Sequence, residues 1–423
     1  MNQKKTKVLL HLAVPLKPLE YGTQLRMRGI LKYFNDRKDF ISVDAVAGNQ
    51  YRETWPTLRW NSEQTREALK FVNRVFVYEG KDNLYDRLYA RIKNLYYNKI
   101  LREEIPVDSD CYTPPGYIEF VHKLIDRNDY NFVWINTLNF AHLAANLRSA
   151  AAIPHTIIDT HDLCCRLCLM TKENTPCNGL KFDYELNFMK EVNLLNRFDT
   201  VISDSNYELS LLLPHLSSQK LESIPHLVDG LGFNSEEFSY KTRKFKHDLL
   251  FVGHNTLPNR DGVQFFLNSI FPIIVQAKPD TQLTVAGNVC ESIHVSSKLS
   301  QNVKLLGYVP DLSELHLQSR LVICPLINGA GTKTKLVEAM SYALPIVTTQ
   351  TCASALFLED GVNALIADEP IQFANYALSI LMDTQFAETL SQAVKATFEQ
   401  HYSAVVIYAK LDAMFGIKHL LES

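Results

Sequence analysis

Short apolar blocks recur along this chain, and most of them stop at a glycine, a proline or a polar cluster. Lys7-Val-Leu-Leu-His-Leu-Ala-Val14 has the length and composition of a buried strand. Pro15 and Pro18 break it, and Tyr21-Gly22-Thr23-Gln24 leads into a helical pattern over Leu25–Phe34. Asn131–Ile135, Thr156–Ile158 and Thr200–Ser203 are further strands, with a helix over Phe182–Arg197. Ser205 reads as the cap of the next helix, with Glu208 three residues on. Strand, glycine-bearing loop and helix together open a doubly wound sheet.

From Val228 to Asp248 the texture turns polar, and a domain linker is expected there. Beyond it the plan repeats: Leu249–Gly253 is a strand, and Asp261–Phe271 a helix after a loop. Gln282–Gly287, Val303–Asp311, Arg320–Cys324 and Pro345–Thr349 follow as strand units, with a helix near Leu312–Ser319. Strands that stop at small residues or turns place several loops on one rim, the expected binding face.

Residues 50–115 are less regular. Leu84, Tyr85, Leu88, Tyr89, Ile92, Leu95, Tyr96 and Ile100 form an apolar, tyrosine-rich helical face, with Arg87, Arg91, Lys93, Lys99 and Arg102 among them. Packing of this face on its own domain is expected. Peripheral contact with a membrane surface or a lipid-linked acceptor would suit the same mixture. Asp108-Ser109-Asp110 has the spacing of a metal-binding carboxylate pair, but no buried strand precedes it and it reads as a solvated loop.

A chain of 423 residues is long for one core, so two domains are expected, 1–235 and 236–398, with a helix in 399–423 packing back on the first. A formal charge of −3 argues against a general nucleic-acid binder. Val8–Val14 is too short for a signal-peptide core, and no apolar span nears the length of a membrane crossing. A cytoplasmic protein is expected, with the inner face of the membrane within its reach. Cys164, Cys165, Cys168 and Cys177 cluster, yet one Cys-x-x-Cys without a second pair reads as free thiols rather than zinc.

The centre of the sequence is Cys324-Pro-Leu-Ile-Asn-Gly329-Ala-Gly-Thr-Lys333-Thr-Lys335-Leu-Val-Glu338-Ala-Met340. A strand runs into a glycine turn, and a helix is expected from Thr332 with Leu336, Val337, Met340 and Ala343 on one face. Helix-start amides and the positive dipole end meet an anion, and Lys333 and Lys335 add full charges. Glu338 would accept hydrogen bonds from sugar hydroxyls beside that anion, which points to a sugar nucleotide. A plain strand-to-helix connection would share the glycine turn. In the first half, Asp159-Thr-His161-Asp162 closes a buried strand, where doubly wound domains place ligands, and a histidine there can move a proton near neutral pH.

These segments resemble the retaining glycosyltransferases of family four, the glycosyl transferases group one, in a subgroup with Gly-Ala-Gly-Thr in place of the first glutamate. The resemblance is carried by Phe251-Val-Gly253 with Pro258-Asn259, by Gly307-Tyr-Val-Pro-Asp311, and by Pro325-Leu326 with Gly329–Met340. Pro345–Thr349, Gly361 and Leu365–Asp368 extend it over nearly all of 248–375. The first half is similar more loosely, through Gly22–Arg26, Ile158–Asp162 and Glu191–Ser203.

What the resemblance implies is a GT-B fold, two Rossmann-like α/β domains facing across a cleft. It implies that Glu338 holds the donor ribose and that the amides of Gly329, Ala330, Gly331 and Thr332, with Lys335, hold the diphosphate. The backbone at Tyr308 and Val309 would meet the base, Gly22 and Thr23 the phosphates, and His161 the transferred sugar. Two departures from the wider family stand out: Ala330 stands for a glutamate, and His254 and Asn259 for an arginine and a lysine after the Val-Gly strand end. Lys333, Lys335 and Arg260 would supply the missing cations.

The activity implied is metal-independent and cofactor-free transfer of a hexosyl or related group from a nucleoside-diphosphate sugar. The acceptor is a glycan, a lipid-linked molecule or a protein, in surface polysaccharide or glycoconjugate synthesis. The alternative is an inactive GT-B partner subunit that keeps the nucleotide-sugar site.

Overall fold

The computed structural model describes residues 5–17, 22–49, 59–80, 84–102, 110–145, 147, 153–174, 182–218, 220–228, 239–329 and 332–417. Their contacts separate the chain into two compact units, 1–224 with 408–423, and 225–407. The boundary expected at 235/236 falls outside the described residues; the division comes at Ile224/Pro225, directly after a strand.

The first unit holds β1 (Thr6–His11), β2 (Ile41–Gly48), β3 (Arg74–Tyr78), β4 (Phe132–Asn136), β5 (His155–Asp159), β6 (Thr200–Ser203) and β7 (Leu221–Ser223). They form one sheet in the order β3-β2-β1-β4-β5-β6-β7. The second unit holds β8 (His247–Val252), β9 (Leu283–Ala286), β10 (Val303–Gly307), β11 (Ser319–Cys324), β12 (Ile346–Thr348) and β13 (Leu365–Ile366). Their order is β10-β9-β8-β11-β12-β13. All neighbours run parallel in both sheets. Helices cover the strands, as parallel sheets buried on two faces require, and each unit closes its own apolar core.

Several elements differ from the sequence expectation. The helix expected from Leu25 starts at Gly22, and the one expected from Asp261 starts at Leu257, where Pro258 fits a first turn that needs no amide donor. The central helix begins at Thr334 rather than Thr332, because Lys333 folds back onto the preceding loop. The tyrosine-rich face of the helix Leu84–Leu95 is a larger departure. It does not pack on its own domain: Leu84, Leu88, Ile92 and Leu95 are all exposed. Asp110 pairs instead with Lys93 and Tyr89 of that helix, while Asp108 and Ser109 lie outside the described residues.

The C-terminal segment belongs to the first unit through specific contacts. Asp412 accepts two hydrogen bonds from the Arg37 guanidinium, at 2.9 Å each, and one from the Tyr33 hydroxyl at 3.0 Å. Phe415 sits among Phe34, Phe132 and Trp134, with ring centroids 5.4, 5.0 and 6.2 Å away. Trp134 and Phe34 are core residues, so Phe415 completes the core rather than decorating it. Phe415→Ala should therefore lower the unfolding free energy of the first unit by about 3–5 kcal/mol, read as an earlier urea transition. An unchanged midpoint would mean that the unit stands without this segment.

Candidate functional site

Each sheet reverses its strand order once, between β1 and β4 in the first unit and between β8 and β11 in the second. Open parallel sheets bind ligands at the carboxyl ends of the strands beside such a reversal. Most of the residues singled out in the sequence stand at these two reversals.

In the second unit, β11 ends at Cys324 and the chain loops to the helix Thr334–Ser341. The loop is held from below: Thr348 Oγ1 donates to the Cys324 carbonyl at 3.0 Å, and Thr349 Oγ1 to that of Leu326 at 2.5 Å. From the side, the helix Leu257–Phe265 packs so closely that a Cβ on Gly262 would lie 3.0 Å from the Leu326 Cα. Gly329 has φ +135°, a conformation that side-chain-bearing residues rarely adopt, and the Lys333 ammonium donates to its carbonyl at 3.0 Å. Lys333 is thus a buried clasp across the loop. Thr332 is half-buried beside it, while Ala330 and Gly331 lie outside the described residues.

Lys335 is placed differently. Its ammonium donates to Asn259 Oδ1 at 2.5 Å and lies 4.6 Å from the centroid of the Phe251 ring. Asn259 Nδ2 in turn donates to the His254 carbonyl at 2.9 Å, which fixes its oxygen toward the lysine. Gly253 makes room for this arrangement, since a Cβ there would come within 2.8 Å of the Phe251 ring and 3.2 Å of Asn259 Cγ. Among the described residues no carboxylate pairs with Lys335. The residue as a whole is half-buried, but its ammonium end is enclosed by protein, and desolvation lowers its pKa.

Glu338 follows one helical turn later on the same face. Its carboxylate has no hydrogen-bond partner among the described residues. Desolvation, with a smaller contribution from Asp311, raises its pKa to about 7. Asp311 belongs to the loop after β10, whose Tyr308 is exposed and Val309 half-buried. Arg260 is half-buried in the helix Leu257–Phe265 and only loosely held, its Nη1 being 3.5 Å from Asn255 Oδ1.

In the first unit, Gly22 and Thr23 open the helix Gly22–Asp36, Gly22 exposed and Thr23 half-buried. Arg26, deeply buried one turn on, places Nε 3.0 and 2.8 Å from the two oxygens of Asp159 at the end of β5. Its Nη1 donates to the Ile224 carbonyl at 2.9 Å. His161 follows Asp159 by two residues, buried and with φ +60°. Its Nε2 is 3.1 Å from Asn136 Oδ1 at the end of β4. Because Asn136 Nδ2 donates to the His11 carbonyl at 2.6 Å, its oxygen is an acceptor, and His161 Nε2 carries the proton. Sequence reading missed Asn136 and the Arg26–Asp159 pair. A polar residue ending the strand Asn-Phe-Val-Trp-Ile was the available signal for the first.

The structure therefore brings Gly253, Asn259, Gly329, Lys333, Lys335 and Glu338 together at one reversal, and sets Gly22, Thr23 and His161 in the other unit. Among the described residues no group of three His, Cys, Asp or Glu side chains is arranged to hold a metal. Burial raises the pKa of the Cys164 and Cys165 thiols, which disfavours the thiolates a metal needs; Cys177 lies outside the described residues. No described helix is long and apolar enough to cross a membrane.

Known proteins share this fold. HepE of Anabaena in complex with UDP superposes with a TM-score of 0.64 at 18% identity, covering 97% of this chain and 100% of that one. HepE in complex with UDP-glucose gives 0.61 at 16% identity, covering 97% and 99%. Sucrose-phosphate synthase from Thermosynechococcus elongatus gives 0.64 at 13% identity, covering 99% and 100%. A curated relative, an uncharacterized 44.6 kDa protein in the cps region of Klebsiella pneumoniae, is 23% identical over 173 residues, 39% of this chain and 45% of its own. The chain thus spans less than half the length of that relative. It has the two-domain Rossmann-like α/β fold of the GT-B glycosyltransferases, and its residues 246–383 match the family model of the glycosyl transferases group 1.

Proposed function

We propose that this protein transfers a hexosyl or related group from a nucleoside-diphosphate sugar to an acceptor hydroxyl, with retention of the anomeric configuration. The observation that carries the reading is the placement of Lys335 and Glu338 on one helix face. One turn apart, a desolvated ammonium and a desolvated carboxylate each lack an oppositely charged partner among the described residues. A ligand with an anion at one end and hydroxyls at the other complements both at once. A nucleoside diphosphate is such a ligand: its diphosphate meets Lys335, and its ribose hydroxyls donate to Glu338.

The chemistry follows from where charge develops. As the glycosidic bond breaks, the departing diphosphate gains negative charge, and a fixed ammonium stabilises that state more than the ground state. The acceptor hydroxyl attacks on the face the leaving group vacates, and a phosphate oxygen takes its proton. Lys335, with Arg260 and the start of its own helix, supplies the positive field, so the reading needs no metal and no organic cofactor. His161, Gly22 and Thr23 keep the roles the resemblance gives them, toward the transferred sugar and the phosphates. The match of 246–383 and the neighbour solved with UDP-glucose support a nucleotide-sugar donor. A role in surface polysaccharide or glycoconjugate synthesis, with a glycan, lipid-linked or protein acceptor, is the accompanying proposal.

The second reading is a partner subunit that binds nucleotide sugar without turning it over. Asn259 favours it, because the position where the resemblance would put a cation here carries no charge and accepts a hydrogen bond from Lys335. Donor binding by calorimetry with no donor consumed against any acceptor would establish it.

Screening nucleotide sugars by thermal shift, then following product anomers by NMR with the best donor, tests the main reading. With that donor, Lys335→Ala should lower turnover by about 10²-fold or more, and near-normal turnover would remove Lys335 from the mechanism. Glu338 makes a separate, pH-resolved expectation. Its ionised form is much the stronger acceptor of ribose hydroxyls, and its pKa is raised to about 7, so donor affinity should climb as pH rises through that value. The gain should be about tenfold between about pH 6 and about pH 8, and Glu338→Gln should flatten it. A wild-type affinity constant across that range would contradict the ribose role.

A further inference from the structure

The helix Leu84–Leu95 and its continuation Tyr96–Leu101 are attached to the first unit inside out. Amphipathic helices of globular domains turn their apolar stripe inward. Here the polar side is the attached one: buried Asp86 accepts from the Tyr78 hydroxyl and the Gly116 amide, and Lys93 and Tyr89 both pair with Asp110. The apolar side faces solvent, with Leu84, Leu88, Ile92, Leu95 and Ile100 each more than half exposed (68, 55, 60, 58 and 67%). On a helical wheel Leu84, Leu88, Ile92 and Leu95 form a single stripe.

We propose that this face docks on the surface of a bilayer containing anionic lipids. Charge selects that occupant. Between Leu84 and Arg102 the sequence has five basic residues and one acidic residue, and the acidic one, Asp86, is turned into the domain. Arg91, Lys99 and Arg102 are exposed beside the apolar stripe. Apolar residues can then enter the acyl boundary while the basic groups meet lipid phosphates. A second copy of the chain is a poor occupant, since a two-fold contact would set this basic face against itself. The inference stands apart from sugar transfer and is read without donor or acceptor.

Co-sedimentation of the full chain with phosphatidylcholine vesicles, with and without phosphatidylglycerol, tests it. Binding is expected only to the anionic vesicles and should fall as salt rises. Leu88→Gln with Ile92→Gln should weaken it about tenfold or more. Arg91→Gln with Lys99→Gln should weaken it about thirtyfold, at about 1 kcal/mol per basic group. Both pairs change exposed side chains, so thermal unfolding should stay at the wild-type temperature. The proposal is overturned if the wild-type chain ignores anionic vesicles, or if the Leu88/Ile92 variant binds them as well as wild type. It is equally overturned if light scattering finds a dimer that this variant dissociates while vesicle binding is absent.

Discussion

An ammonium pressed against a neutral amide is the constraint around which the second unit is built. Lys335 gives up part of its hydration and receives in return one carbonyl oxygen and the face of a phenylalanine ring. Neither carries a full charge, so the lysine's pKa is lowered. The supports for this placement converge from separate parts of the chain. Asn259 is aimed by the His254 carbonyl, Gly253 leaves room for it, and Gly262 lets its helix close on the loop before the lysine. A cation held rigidly without an anion is already arranged for one, and binding would need little further reorganisation.

The first unit handles a buried cation in the opposite way. Arg26 meets Asp159 through two contacts from Nε and has Asp204 3.8 Å away, so its charge is compensated inside the fold. Removing one partner of such a pair leaves an unpaired buried charge, at roughly 3–5 kcal/mol. The pair ties the first helix to the end of β5 and sets the start of the segment in which His161 takes its left-handed conformation. Both cations lie near strand ends. The partner decides which is a structural tie and which is left for a ligand.

That distinction was only partly legible in the sequence. Strands with uninterrupted apolar runs, such as Val-Ile within Thr200–Ser203 or Leu-Val-Ile within β11, declare themselves. β2 does not, because Asp44 sits in its middle; the carboxylate is accommodated there by Arg74 at 2.5 Å and the Tyr130 hydroxyl at 2.8 Å. β7 is only Leu221–Ser223, too short to show a period. The periodicity of Leu84–Leu95 revealed a helix face but not which way it points. That depends on Tyr78, Asp110 and Gly116, which lie elsewhere in the chain. Likewise, Lys333 and Lys335 look equivalent in sequence, and only the backbone turn at Gly329 makes one a clasp and leaves the other at the site.

Asn259 now has a physical reading. At a position where the resemblance would put a cation, a second positive group beside Lys335 would repel it in a region already poor in water. Asparagine avoids that repulsion and adds an acceptor, which holds the ammonium where, on the proposed function, the diphosphate would meet it. The positive field there comes from Lys335 and from the clasped Lys333 close by, with the loosely tethered Arg260 on the same helix as Asn259. Two cations sharing an anion tolerate the loss of either one better than a site resting on one. On the proposed function, Lys335 would then carry more of the electrostatic work than it would with a lysine at 259, and the balance between turnover and mere binding would rest on it.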